Sequence, residues 1–147
     1  KTLRVMQTAI VITTDISGDI SNLHPTNKQD VGRRFAHLAL EHTYAKTQFN
    51  VNPPVYRSKK VQGKKLIVYF DNALGLHSKF KIVEGFEIAG KDGVFYPAQA
   101  KIEGTSVELS SKQVPMPVHV RFAWSNTARP LIFNALDIPL SCFNTKE

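Results

Sequence analysis

The sequence predicts an α+β chain, mainly β: a strand–loop–helix remnant of an α/β domain followed by an antiparallel β-sandwich-like unit. Three observations carry this. Ala9-Ile10-Val11-Ile12-Thr13-Thr14 is apolar or β-branched throughout and does not alternate, as in a strand buried on both faces of a parallel sheet. Apolar residues then recur at helical spacing behind a capping signal. From Val61 onward the period changes to two, with short turns between closely spaced strands and no helical period.

Asp15 closes the first strand, and Gly18 is the hinge of the loop that follows. His24-Pro25-Thr26 opens the helix. Thr26 and Gln29 fit a capping box, the threonine taking an amide of the first turn and the glutamine reaching back. Val31, Phe35, Leu38, His42 and Ala45 fall on one stripe, with Lys28, Arg33, Arg34 and Glu41 mostly off it, so the helix is expected over residues 27–46.

Residues 47–60 read as a linker, because Pro53-Pro54 forbids a helix and favours an extended path. Strands are expected near 65–70, 79–89, 94–102, 105–110 and 117–124, with a short one near 131–134. Lys91-Asp92-Gly93 and Glu103-Gly104 supply hairpin-type turns. The organisation is therefore 1–46 as the strand–loop–helix piece, 47–60 as linker and 61–147 as an accessory antiparallel β domain.

A strand–loop–helix piece is too small to be a domain, and a strand buried on both faces needs neighbours that this sequence does not offer. Residues 1–46 thus read as the last element of a larger α/β domain. Alone, the chain would expose strand 9–14 and the stripe Val31, Phe35, Leu38. The helix is therefore expected to pack on the β unit, or the strand to self-associate with a second copy.

At 147 residues and 42% hydrophobic content the composition is globular, and no stretch approaches the length of apolar residues that crosses a bilayer. No secretory signal is visible, but the first residue is Lys1 rather than Met, so that absence says nothing about compartment. Cys142 is the single cysteine, which excludes an intrachain disulfide; between Leu140 and Phe143 it reads as a small buried thiol.

The net charge is +7, with nine bases and four acids in residues 1–61 against ten and eight in 62–147. The basic run Arg57-Ser58-Lys59-Lys60, followed by Lys64-Lys65, reads as a solvated linker and strand end rather than a clustered face with interleaved aromatics. Neither a nucleic-acid nor a membrane partner is expected.

The chemistry concentrates in residues 13–34, TTDISGDISNLHPTNKQDVGRR. His24 stands in a polar loop between strand and helix, where α/β hydrolytic enzymes carry a catalytic base. Asp15 and Asp19 share that loop. A neutral imidazole takes a proton from a serine hydroxyl while a carboxylate fixes its tautomer. A lone loop histidine is, by spacing alone, more often a surface or capping residue.

The remaining histidines suggest less. His37 and His42 are five apart, not the four that puts two ligands on one helix face, and His77 and His119 lie in β territory. No metal site and no cofactor are expected; Gly63-Lys64-Lys65 lacks the upstream glycine and following hydroxyl of a phosphate loop. Trp124, Tyr69, Tyr96 and Phe122 are either core residues or a sugar-stacking platform.

Asn22-Leu23-His24-Pro25-Thr26-Asn27-Lys28-Gln29-Asp30-Val31-Gly32-Arg33-Arg34 resembles the last block of the sialate O-acetylesterase family, a branch of the SGNH hydrolases. Further motifs resemble that family's C-terminal β region in the same order. They are Gly85-Phe86-Glu87-Ile88-Ala89-Gly90, Asp92-Gly93, Pro97-Ala98-Gln99-Ala100-Lys101-Ile102, Val120-Arg121-Phe122-Ala123-Trp124 and Asn134…Pro139…Phe143.

The resemblance makes the α/β remnant part of an SGNH domain. It implies hydrolysis of O-acetyl esters on sialic acids or other sugars by a serine nucleophile and a histidine base, in the periplasm, outside the cell or in a lysosome. His24 matches the catalytic histidine. The family's Gly-Gln-Ser-Asn nucleophile block has no counterpart here, nor do the blocks that supply oxyanion-hole residues. Many SGNH enzymes hold an aspartate three residues before the histidine; that position is Ser21. The acid is then Asp19 or Asp15, with Asp19 favoured, or the imidazole is held by a backbone carbonyl.

The leading expectation is a C-terminal fragment of a carbohydrate O-acetylesterase that supplies the histidine and an accessory β domain and is inactive without the missing N-terminal catalytic portion. The competing one is a non-catalytic β module binding carbohydrate or protein. Saturable glycan binding lost on Trp124→Ala would support the second, and a buried Trp124 would weigh against it.

Overall fold

The computed structural model describes residues 8–22, 24, 26–46, 52–129 and 132–146. Residues 8–13 carry no regular secondary structure and pair with no described strand, and a turn follows at 14–16. The strand expected at 9–14 is thus not formed. A strand exists only through its ladder, and none of the described residues offers a neighbour to this backbone. Thr8, Ala9 and Ile10 are exposed, and residues 11–17 are half-buried.

Helix α1 spans Lys28–His42, one residue shorter at its start and four at its end than expected. The cap is Asn27, not Thr26. Its Oδ1 accepts from the Asp30 amide at 3.1 Å and its Nδ2 donates to the Asp30 carboxylate at 2.7 Å. The cap is therefore shifted by one residue, and Asp30 meets the side-chain amide of Asn27 in place of the backbone amide that a capping box engages. The helix ends where Ala45 takes a left-handed φ of 52° and the Lys46 amide closes back on the Leu40 carbonyl at 2.9 Å. Only Leu38 of the apolar stripe is buried, and Phe35 is 57% exposed. Leu38 and Ile10–Ile12 line one small cavity together with Pro53 and Ile138.

The β unit begins earlier than expected. β1 (Val55–Gln62) occupies the last part of the segment read as a linker. Its charged side chains disguised it: edge strands commonly carry lysine and arginine, and a bulge between Tyr56 and Ser58 breaks the alternation. Lys59 is not solvated. It stands opposite Val68, and its ammonium donates to the Val118 carbonyl at 2.6 Å and to Thr145 Oγ1 at 3.0 Å. Partial burial holds its pKa below the usual lysine value.

β2 (Lys65–Asp71) follows a two-residue turn. Then come β3 (His77–Ser78), β4 (Phe86–Ala89), β5 (Phe95–Pro97), β6 (Gln99–Glu103), β7 (Ser106–Ser110), β8 (His119–Phe122), β9 (Ile132–Phe133) and β10 (Phe143–Asn144). One antiparallel sheet has the order β1-β2-β7-β6, the other β10-β8-β4-β5, and β3 pairs with β9. Gly104 with φ 61° makes the tight β6–β7 turn that the sequence signalled.

The chain switches sheets at Ala98, whose amide donates to the Phe86 carbonyl at 3.0 Å. The expected strand 94–102 is thereby split into two, one in each sheet. The expected strand 79–89 is reduced to β4, since residues 79–85 carry only a single bridge from Val83 to Ala100.

The two four-stranded sheets share one core. Leu66, Val68, Phe70, Val107 and Leu109 from the first meet Phe86, Ile88, Val120 and Phe122 from the second. They recur at every second position of their strands, which puts them on one face. Phe143 joins them, its ring 4.9 Å from Tyr56 and 5.9 Å from Phe70. Cys142, expected to be buried, is exposed; Leu140 and Phe143 take the inward positions around it and turn it outward.

Asn134 is the one polar residue in the described interior, 4% exposed. Its Oδ1 accepts from Leu136 and Ile138 amides at 3.1 and 3.0 Å, and its Nδ2 donates to the Asn72 carbonyl at 3.1 Å and the Asn52 carbonyl at 3.4 Å. It thereby fastens three loops to one another.

Candidate functional site

The loop carrying His24 is held from two sides. At its entry, Arg34 on α1 reaches back nineteen residues. Its Nη1 donates to Asp15 Oδ1 at 2.8 Å and to the Ile12 carbonyl at 2.6 Å, and its Nη2 donates to Asp15 Oδ2 at 2.6 Å. The side chains of Arg34 and Asp15 are 14% and 10% exposed. A planar guanidinium matches a carboxylate in this two-bond geometry. The carboxylate raises the Arg34 pKa, against the opposing effect of burial. Next to the pair, the Ile16 amide donates to the Thr13 carbonyl at 3.1 Å and closes the turn.

Further along, Gly18 takes a φ of 71°, which its lack of a Cβ permits. Its carbonyl accepts from Arg129 Nη2, an arginine of the loop that follows β8. Asp19 then turns on itself: its Oδ1 accepts from both the amide and the hydroxyl of Ser21 at 2.8 Å. These bonds hold its carboxyl below the usual range, with a smaller contribution from the positive charge of Arg129. The Asn22 amide donates to the Asp19 carbonyl at 3.1 Å, and Asn22 Oδ1 accepts from the His24 amide at 2.8 Å.

His24 itself is exposed. Among the described residues its ring has no hydrogen-bond or ion-pair partner, and neither Asp15 nor Asp19 bonds to it. The structure thus brings the three proposed residues into one loop without joining them. Asp15 has both oxygens committed to Arg34, and Asp19 has one oxygen committed to Ser21.

Elsewhere, His42 Nε2 lies 3.3 Å from Asn52 Oδ1. His77 lies 3.0 Å from the Gly75 carbonyl and stacks on Phe133 at 6.0 Å. No three His, Cys, Asp or Glu residues among those described stand close enough to hold a metal. The four aromatics considered as a platform do not share a surface. Phe122 is interior, Tyr96 packs against the core, and Tyr69 carries Arg57 at 5.9 Å. Trp124 alone is 42% exposed.

Two residues of this site were not visible as such in sequence. Arg34 closes the block that runs through Val31-Gly32-Arg33, but its spacing marks it only as a residue off the apolar stripe. Arg129 carried no local signal, because its partner lies 111 positions away.

No protein-family model matches the chain, and no curated protein matches it. Among solved structures it is similar to a carbohydrate acetylesterase from Xanthomonas citri, at 38% identity and a TM-score of 0.81. The match covers 89% of this chain and 31% of that one, so the chain spans about a third of its solved relative.

Proposed function

We propose that this chain is the C-terminal part of a carbohydrate O-acetylesterase of the sialate O-acetylesterase type, supplying the catalytic histidine and an accessory β unit. The observation that carries this is the likeness to about a third of a carbohydrate acetylesterase, at an identity that reaches beyond fold.

In the parent enzyme His24 takes the proton of a serine hydroxyl as that oxygen attacks the acetyl carbon. It then returns the proton to the departing sugar oxygen, leaving an acetyl-serine that water hydrolyses by the same route. The serine belongs to the missing N-terminal catalytic portion. Of the two acids, Asp19 suits the orienting role better. It is ionised well below neutral pH and keeps one oxygen uncommitted, whereas Asp15 would have to leave Arg34.

The exposed Phe35 and Ile20 are the natural contact surface for that portion, and self-association is the outcome expected without it. The substrate is an O-acetylated sugar such as a sialic acid.

The test compares this chain with the full-length esterase on a simple acetyl ester. The chain alone should leave the ester unhydrolysed, and the full-length enzyme should lose at least a thousandfold in kcat on His24→Ala, the scale seen when a triad member is removed. Serine-dependent turnover by the pure chain, or an active His24→Ala enzyme, would overturn the proposal. The half-exposed Trp124 keeps a second reading in view, a carbohydrate-binding β module; saturable glycan binding by the chain that is lost on Trp124→Ala would favour it.

A further inference from the structure

Among the described residues, the hydrogen bond that joins the β unit to the His24 loop comes from Arg129. Arg129 stands at the end of a loop whose own shape is built in. Ala123 leaves β8 with a φ of 52° and donates its amide to the Gly85 carbonyl at 2.9 Å. The Ala128 amide donates to the Ser125 carbonyl at 3.1 Å, and Ser125 Oγ accepts from the Thr127 amide at 3.3 Å. This hydrogen-bonded stem delivers the guanidinium to the Gly18 carbonyl, at the conformationally freest residue between Asp15 and His24.

The opposite end of the loop is fixed by Arg34 on α1. Beyond Gly18 the loop's contacts are local, running through Asp19, Ser21 and Asn22. Without Arg129 nothing among the described residues ties Gly18–Asn22 to the rest of the molecule.

We propose that Arg129 is a positioning residue for the His24 loop, so that the accessory β unit sets the geometry of the site instead of being appended to it. The structural part of this inference stands on the contact alone; its catalytic consequence rests on the function proposed above. An imidazole displaced by about 1 Å is enough to cost a catalytic site up to a hundredfold.

The test has two arms. In the chain as it stands, backbone relaxation is measured for Arg129→Ala, Arg129→Lys and, as a control on an exposed arginine elsewhere, Arg33→Ala. Order parameters for Gly18–Asn22 should fall from about 0.8 to below about 0.6 in Arg129→Ala. They should recover in large part in Arg129→Lys, which still presents a donor, and stay unchanged in Arg33→Ala. The melting temperature of the β unit should be the same in all three.

In the full-length esterase, Arg129→Ala should lower kcat about tenfold, a factor worth about 1.4 kcal/mol, with KM within about twofold. Arg129→Lys should restore most of it. A Gly18–Asn22 loop as ordered in Arg129→Ala as in the parent chain overturns the inference. If instead the loop loosens but His24→Ala leaves the esterase active, the functional reading falls and the positioning role stands.

Discussion

Replacing Asn134 by aspartate exchanges one amino group for an oxygen and leaves the side chain's shape intact. The Leu136 and Ile138 amides keep their acceptor, but the new oxygen faces the Asn72 carbonyl at 3.1 Å and the Asn52 carbonyl at 3.4 Å. At neutral pH the variant loses the donor to two part-buried carbonyls, costing about 1–3 kcal/mol. It also holds a carboxylate at a site 4% exposed, where the two amides offset only part of a desolvation cost of several kcal/mol.

A loss of about 3–5 kcal/mol follows, and for a domain near this size each kcal/mol is worth about 2–4 °C in Tm. Burial and the two carbonyls disfavour the charged form, so the folded pKa of the introduced carboxyl lies above its unfolded value of about 3.9. The variant is therefore least destabilised below that value, where the protonated group donates to Asn72 again. The deficit grows as pH rises through the folded pKa. Urea unfolding of both proteins between pH 3.5 and 8 reads this directly. Asn134→Leu, which loses all four bonds, should be destabilised at every pH without that slope. A penalty under about 1 kcal/mol at pH 7, or an Asn134→Asp penalty flat across the range, would refute the reasoning.

Asp15→Ala and Arg34→Ala should each weaken the attachment of residues 12–16 by about 3 kcal/mol, the low end for a buried pair because a little solvent reaches both side chains. A double-mutant cycle read by exchange of the Ile16 amide should show strong coupling, and additivity within about 0.5 kcal/mol would deny the pair its role. Asn27→Ala should cost α1 about 1 kcal/mol. Asn27 holds the Asp30 carboxyl below its usual range. The corresponding stability is present above about pH 3.9 and lost as pH falls through the depressed value, so the acid-range change in protection of the Asp30 amide should shrink in the variant, with Arg33 and Arg34 supplying what remains. Cys142 should react with a thiol reagent in the folded protein at close to the rate of a free thiol; a reaction that requires denaturant would contradict its exposure.

What could be read from the sequence followed from local physics. β7 alternates Ser106, Val107, Glu108, Leu109, Ser110 and starts after a glycine turn, so period and punctuation agreed with its pairing to β2 and β6. β1 escaped because Arg57, Lys59 and Lys60 resemble a solvated run, and only the partner sheet reveals that Lys59 points inward to Thr145. The cap was misplaced by one residue because Thr26 and Asn27 have the same capping chemistry, and backbone geometry chose between them. The run 9–14 carries the pattern of a strand, but a pattern states what a segment would bury and not whether neighbours are present. In the candidate site, that His24, Asp15 and Asp19 share one loop was legible from their positions in the chain. The pairing of Asp15 with Arg34 and of Gly18 with Arg129 was not, since contacts across 19 and 111 positions leave no periodicity behind.

The sheet switch at Ala98 also bears on how the molecule assembles in time. β1–β2, β4–β5 and β6–β7 are hairpins that can close locally. Neither sheet is complete until β2 finds β7 and β4 finds β8, about 40 and 30 positions further along. Because β5 runs into β6 with one residue between them, registering one sheet drags the other into place. Such a topology points to a single cooperative transition at millisecond-to-second rates. Until it occurs, the β2 edge stands open and unpaired. Rapid refolding at high concentration would then favour edge-to-edge association, and a slow dilution protocol should recover more monomer.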